Sequence, residues 1–115
     1  MSSAQELTDL AQLESLWQAS HEQPVLFFKH STSCPISVRA FHEFQTYLDS
    51  PASQTAQNAL IIVQTARPLS NRLAELAGIK HESPQAILVS NGQAVWHESH
   101  FELKNHTLAA AVAKA

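Results

Sequence analysis

The sequence predicts an α/β domain built on a four-stranded mixed sheet with helices on both faces. Two apolar runs, Val25-Leu26-Phe27-Phe28 and Ala59-Leu60-Ile61-Ile62-Val63, have the unbroken hydrophobicity of strands buried on both faces, and each is followed by a segment with helical apolar spacing. An Asn91-Gly92 pair between two further apolar runs marks a two-residue hairpin turn. Strand-helix-strand crossovers give parallel pairs and the hairpin an antiparallel one, so the sheet is mixed. A chain of 115 residues falls within the usual size of one domain, and 44% hydrophobic against 15% charged residues excludes intrinsic disorder. Residues 1–115 are therefore read as a single domain.

An extra N-terminal helix comes first. Asp9 and Gln12 have capping-box spacing, and Leu10, Leu13, Leu16 and Trp17 recur at helical intervals, giving a helix over about residues 9–19. A turn at Gln23-Pro24 leads into the first core strand, residues 25–28. The polar stretch Lys29-His30-Ser31-Thr32-Ser33 reads as a loop ending at Cys34-Pro35. Proline suits a first helical turn, and Ala40, Phe41, Phe44, Tyr47 and Leu48 mark a helix running to about Asp49. Residues 50–58 form a polar connection to the second strand. Pro68 then permits a helix start, Leu69, Leu73, Leu76 and Ala77 share a face, and Gly78 takes the C-cap position. Pro84 precedes the third strand, Ala86–Val89; after the Asn-Gly turn Ala94-Val95-Trp96 returns antiparallel, with Trp96 packing on the sheet. Leu103, Leu108, Ala111 and Val112 give the last helix. The core order β-α-β-α-β-β-α is the thioredoxin-like arrangement, and it sets Cys34 where the first core strand gives way to a helix N-terminus.

Composition narrows the function. The formal charge is −3 and the basic residues are scattered, which argues against a nucleic-acid or anionic-membrane partner. The longest apolar run, Ala109–Ala113, is far short of the roughly 20 residues of a membrane span, and Met1–Asp9 has neither a basic nor an apolar leader region, so a cytoplasmic location is expected. The lone Cys34 has no intramolecular disulfide partner and falls short of a structural zinc site, so its sulfur chemistry must be intermolecular. Seven histidines raise a metal reading, above all His81, His97 and His100, but no carboxylate arrangement accompanies them and no metal site is expected.

Out of context a lone cysteine is a small buried hydrophobe. At a helix N-terminus, unpaired N–H groups and the helix dipole favour its thiolate, the nucleophilic form. The hydroxyls of Ser31, Thr32 and Ser33 are candidate hydrogen-bond donors to it, and Lys29 or His30 candidate sources of positive charge. Three residues after Cys34, where a Cys-x-x-Cys motif has its second thiol, stands Ser37, which otherwise reads as an ordinary first-turn residue. A mixed disulfide on Cys34 must then be resolved by another molecule, and the chemistry that remains is monothiol exchange. Two other readings stay open: an iron–sulfur module in which Cys34 ligates a cluster across a dimer, and a redox-inert interaction protein with Cys34 buried. A cysteine protease is disfavoured for want of a placeable His/Asn partner.

The runs Phe28-Lys29-His30-Ser31-Thr32-Ser33-Cys34-Pro35-Ile36-Ser37, Ala66-Arg67-Pro68-Leu69-Ser70-Asn71, His81-Glu82-Ser83-Pro84-Gln85-Ala86 and Val95-Trp96-His97-Glu98-Ser99-His100 together resemble the monothiol bacilliredoxin family of the bacillithiol system. The resemblance spans nearly the whole chain, with Ser33 standing where many members have Thr. It implies a thioredoxin-like fold and an oxidoreductase that removes bacillithiol from S-bacillithiolated proteins, with Cys34 as the active cysteine and Pro84 as a cis-proline facing it. Thr32, Ser33, Pro35, Ser83 and Pro84 are the implied substrate-binding residues. The partners implied are S-thiolated client proteins and bacillithiol itself, exchanged rather than held as a tightly bound cofactor. An ion pair between Arg67 and Glu82 across the loops near Cys34 is a further expectation.

Overall fold

The computed structural model describes residues 3–115; Met1 and Ser2, part of the stretch read for a leader, lie outside the described residues. The elements are β1 (Gln5–Glu6), α1 (Leu10–Ala19), β2 (Val25–His30), α2 (Pro35–Leu48), a 3-10 turn (Pro51–Thr55), β3 (Gln57–Ile62), α3 (Arg67–Ala77), β4 (Gln85–Ser90), β5 (Gln93–Ser99), a second 3-10 turn (His100–Glu102) and α4 (Asn105–Lys114).

Among the described residues the sheet has five strands, ordered β1-β3-β2-β4-β5, where four were expected. β1, β3 and β2 run parallel, while β4 pairs antiparallel with both β2 and β5. The additional strand is two residues long and its side chains are exposed, so it carries no periodic signal. Its backbone supplies the order: Gln5 and Glu6 pair with Ala59 and Leu60, Leu7 N–H donates to Leu60 O at 2.9 Å, and buried Leu7 anchors the segment.

Both faces of the sheet are covered. Val25 and Phe27 of β2 pack with Ala59, Ile61, Ile87 and Val89 beneath Leu13, Leu16 and Trp17 of α1 and Leu69 and Leu73 of α3. Leu26 and Phe28 pack with Ala86 and Leu88 beneath Phe44 and Tyr47 of α2 and Leu108 and Val112 of α4, and Trp96 lies against that same cluster. Successive residues of a strand point to opposite faces, which is why β2 is apolar at every one of its first four positions. β2 also extends further than its hydrophobicity suggests. Lys29 pairs with Ile61 and Gln85, His30 pairs with Ile62, and both side chains are buried, so the expected loop begins at Ser31. Backbone pairing, on both sides at Lys29 and with β3 at His30, outweighed the polarity that had suggested a loop.

The local signals are met where they were expected. Asp9 caps α1 by accepting from Gln12 N–H at 2.9 Å while the Gln12 side chain accepts from Asp9 N–H at 3.3 Å. Gly78 ends α3 in the left-handed region at φ 68°. Asn91 and Gly92 have φ values of 54° and 72°, as a hairpin turn matched to the strand twist requires. Ser20 fixes that turn, its carbonyl accepting from Asn91 N–H at 2.8 Å and its hydroxyl from Gly92 N–H at 2.9 Å.

One buried polar network secures the connection between α2 and β3. Tyr47 O–H donates to Asn58 Oδ1 at 2.7 Å, and Asn58 Nδ2 donates to the carbonyls of Ser53 and Ala56 at 3.0 and 3.3 Å. Tyr47→Phe leaves the ring packing intact and the amide oxygen without its donor. We expect it to lower unfolding stability by about 1–3 kcal/mol in urea titrations, with the far-ultraviolet circular dichroism unchanged.

Candidate active site

The site forms where β2 runs out. His30 is the last paired residue, Ser31–Ser33 turn the chain, and Pro35 opens α2 with Cys34 as its N-cap at φ −105° and ψ 121°. Cys34 O accepts from Val38 N–H at 3.0 Å to start the helix, while the Cys34 side chain makes no capping hydrogen bond. Its sulfur is thus left for a partner from outside, beside the positive end of a helix of 14 residues. Cys34 is half-buried rather than sealed in the core, and Thr32, Ser33 and Pro35 around it are exposed. The geometry suits a thiolate approached from solvent.

Gln64, just after β3, holds the loop in place. Its Nε2 donates to Ser31 Oγ at 2.8 Å and Ser33 Oγ at 3.1 Å, and its Oε1 accepts from Thr32 N–H at 3.2 Å. One amide therefore fixes three consecutive residues before the cysteine, and the hydroxyls of Ser31 and Ser33 act as acceptors toward Gln64. Sequence reasoning missed this residue. Its only signal is its place at the carboxyl end of the strand parallel to β2, which tertiary pairing alone reveals.

The loop rests on Ser37. The Ser37 hydroxyl is fully buried, accepts from Ser31 N–H at 2.8 Å and lies 2.8 Å from His30 Nδ1. The Ser37 oxygen has a second lone pair and a hydrogen of its own, so the histidine tautomer sets which group donates in the contact with His30 Nδ1. The His30 ring stacks on Phe41 at 4.6 Å between centroids and 13° between planes. Burial pushes the His30 pKa below its ordinary value, with a hydrogen bond at Ser37 opposing. His30 is consequently a neutral hydrogen-bonding support rather than the positive charge expected for the thiolate, and Ser37 is a pivot rather than an ordinary first-turn residue.

Lys29 points to the other face of the sheet, toward α3. It is fully buried, and its Nζ lies 3.1 Å from His81 Nδ1, which accepts a hydrogen bond from the ammonium form. Burial first and the nearby Arg67 guanidinium second bring its pKa from 10.5 down to about 8. His81 is lowered too, by burial and then by Lys29 and Arg67, with Glu82 opposing. The expected Arg67–Glu82 ion pair is not formed. Among the described residues the ion pairs are Arg72 with Glu14 at 3.1 Å and Arg72 with Glu75 at 3.9 Å. Glu82 instead accepts from Ser99 O–H at 2.8 Å.

The Ser83–Pro84 peptide is cis. Because Lys29 pairs with Gln85, Ser83 and Pro84 lie at the end of the sheet where β2 releases the cysteine loop. Pro84 is buried, its carbonyl accepts from His100 N–H at 3.1 Å, and the Ser83 hydroxyl is buried without a hydrogen-bond partner. His97 is exposed on β5 and His100 follows its end at φ 56°. Among the described residues no three His, Cys, Asp or Glu side chains gather as metal ligands.

This fold and its single helix-capping cysteine define a thioredoxin-fold thiol oxidoreductase. The family model described as Monothiol bacilliredoxin BrxC matches residues 5–108, and the chain belongs to that family. Among solved structures, a proposed oxidoreductase with a thioredoxin fold is 34% identical, with a TM-score of 0.82 and coverage of 94% of this chain and 92% of its own. Malassezia sympodialis thioredoxin (Mala s 13) is 18% identical at TM-score 0.79, covering 99% of this chain and 91% of its own. Fasciola hepatica thioredoxin is 13% identical at TM-score 0.73, covering 96% and 97%. The two thioredoxins share the fold.

The depressed Lys29 pKa has a measurable sign. In the unfolded chain Lys29 holds its proton up to about 10.5, whereas in the fold it releases it near 8, so its contribution to stability grows as pH rises between those values. Tyr47, whose pKa burial raises, acts in the opposite direction above about pH 10. Urea denaturation from pH 7 to 10 should show a rise that Lys29→Met flattens, on the order of 3 kcal/mol over the full Lys29 window. Equal slopes in the two proteins would show that Lys29 is not desolvated as described.

Proposed function

We propose that this protein removes bacillithiol from S-bacillithiolated client proteins in the cytoplasm by monothiol exchange at Cys34. The observation that carries the reading is the sulfur's setting: an N-cap cysteine with no capping bond of its own, half-exposed, in a chain with no second cysteine to resolve a disulfide on it. Membership of the monothiol bacilliredoxin family supports the identity of the small thiol.

The Cys34 thiolate attacks the bacillithiol sulfur of the client's mixed disulfide. That S–S bond breaks, its electron pair leaves with the client sulfur, which takes a proton from solvent, and a new S–S bond joins Cys34 to bacillithiol. One disulfide replaces another with no net oxidation. A separate thiol then attacks the bacillithiol sulfur and returns Cys34 as thiolate. The helix N-terminus favours Cys34 as the group that bears negative charge before attack and after release. Exposed Thr32, Ser33 and Pro35 around the sulfur, with Ser83 and Pro84 at the same end of the sheet, are the proposed client contacts.

A client carrying one S-bacillithiolated cysteine tests this. Wild-type protein should release the client thiol and gain the mass of bacillithiol on Cys34, one for one, by intact mass spectrometry. Cys34→Ser should reduce release to the uncatalysed rate while keeping cooperative unfolding, since a helix-terminal thiol adds little core volume. Release at the wild-type rate by that variant would remove Cys34 from the reaction.

A further inference from the structure

We propose that Gln64 is a positioning residue for the exchange reaction: its amide engages the Ser33 oxygen and so leaves the Ser33 hydroxyl hydrogen to the thiolate of Cys34. The proposal rests on the reading of Cys34 as the exchanging nucleophile and names the side chain that sets the polarity of the loop presenting it. Ser31 to Cys34 form a tight turn, closed by Cys34 N–H donating to Ser31 O at 3.4 Å. Two side chains hold that turn. Ser37, buried in α2, accepts from Ser31 N–H at 2.8 Å. Gln64, exposed after β3, engages all three residues ahead of the cysteine. The sheet delivers it there, since His30 pairs with Ile62 and Val63 N–H donates to His30 O at 2.9 Å, which brings the chain out level with the turn.

The chemistry of its partners fixes which way the Gln64 amide points. A backbone N–H only donates, so the Gln64 atom 3.2 Å from Thr32 N is the carbonyl oxygen Oε1. The other end, Nε2, then faces Ser31 Oγ at 2.8 Å and Ser33 Oγ at 3.1 Å, and it has hydrogens but no lone pair to offer. Both hydroxyl oxygens accept from it, and neither hydroxyl hydrogen is spent on Gln64. Neither hydrogen meets another acceptor among the described residues.

A thiolate only accepts, so a hydroxyl can serve it only through its hydrogen. Ser33 directly precedes Cys34 and is exposed beside it, whereas Ser31 stands three residues back with its N–H turned to Ser37. Ser33 is therefore the donor and Gln64 the group that keeps it one. A glutamate at the same place reverses this polarity. Its carboxylate can still accept from Thr32 N–H, but it also draws the hydroxyl hydrogens of Ser31 and Ser33 to itself. The turn keeps its hydrogen bonds and the sulfur loses its donor.

The test is a double-mutant cycle read by alkylation of native Cys34 with iodoacetamide at pH 7, a reaction of the thiolate that involves neither client nor bacillithiol. Ser33→Ala should slow it about fivefold, because losing a donor to a charged acceptor removes more thiolate than the gain in nucleophilicity restores. Ser33→Thr keeps a hydroxyl and should retain the wild-type rate. Gln64→Glu should slow alkylation at least as much as Ser33→Ala, and adding Ser33→Ala to it should have no further effect, since the hydrogen is already turned away. Cooperative urea unfolding of each variant shows that the rates belong to the fold. A further fivefold loss from Ser33→Ala on the Gln64→Glu background would show that the glutamate acts by its charge alone and would overturn the proposal. A Ser33→Ala protein that reacts at the wild-type rate would overturn it as well. The expected cycle in a protein that dethiolates no client would keep the role of Gln64 and overturn the proposed reaction, and dethiolation with either overturning result would do the reverse. An unreactive native Cys34 would overturn both.

Discussion

Everything at the site depends on β2 having no solvent face. It lies between β3 and β4 in the sheet, with α1 and α3 over one surface and α2 and α4 over the other, and all six of its residues are buried. A strand held on four sides has a fixed end. Because β2 runs parallel to β3 and antiparallel to β4, that end collects three segments at once: the loop to α2, Gln64 after β3, and Ser83–Pro84 before β4. The cysteine's position is thus set by packing far from it, and the loop itself needs little rigidity of its own. This is the general logic of a reactive group carried on a turn and aimed by a stable sheet.

Burial also places two polar side chains where they must be satisfied. His30 and Lys29 are consecutive, so they leave the strand on opposite faces, His30 toward α2 and Lys29 toward α3. Each meets a nitrogen or hydroxyl partner rather than a carboxylate, at 2.8 Å for His30 with Ser37 and 3.1 Å for Lys29 with His81. Burial lowers both pKa values, and Arg67 adds to the effect on Lys29. A charge is expensive in these places, which is why both groups give up their protons more readily than in water, Lys29 near 8 rather than 10.5.

The sequence disclosed what repeats or punctuates. Apolar runs, the Asp9 capping box, Gly78 and Asn91-Gly92 each act through a few neighbouring residues, and each led to the right element. The fold class and the place of Cys34 followed from their order. What escaped was non-local. β1 exists through backbone pairing with β3, Lys29 belongs to a strand because β3 and β4 both pair with it and His30 because β3 does, and Gln64 matters because β3 delivers it to a loop thirty-odd residues earlier. Glu82 had an oppositely charged residue within plausible reach in the sequence, yet Ser99 on the returning strand is the group it meets. Side-chain type states what a residue can bind; only the register states what arrives beside it.

Ser37 joins these threads. At the position where a dithiol motif has its second sulfur, this chain has a hydroxyl that accepts from Ser31 N–H and faces His30 Nδ1, both at 2.8 Å, with no exposure to solvent. A thiol there is a weaker donor and acceptor with longer contacts, so it would loosen both bonds beneath the loop. The hydroxyl supports the turn that presents Cys34, and it offers no route for intramolecular resolution. Stability of the loop and dependence on an external thiol are therefore two consequences of one side chain. With Cys34 the one cysteine of the sequence, a disulfide formed on it can be resolved only by a thiol of another molecule.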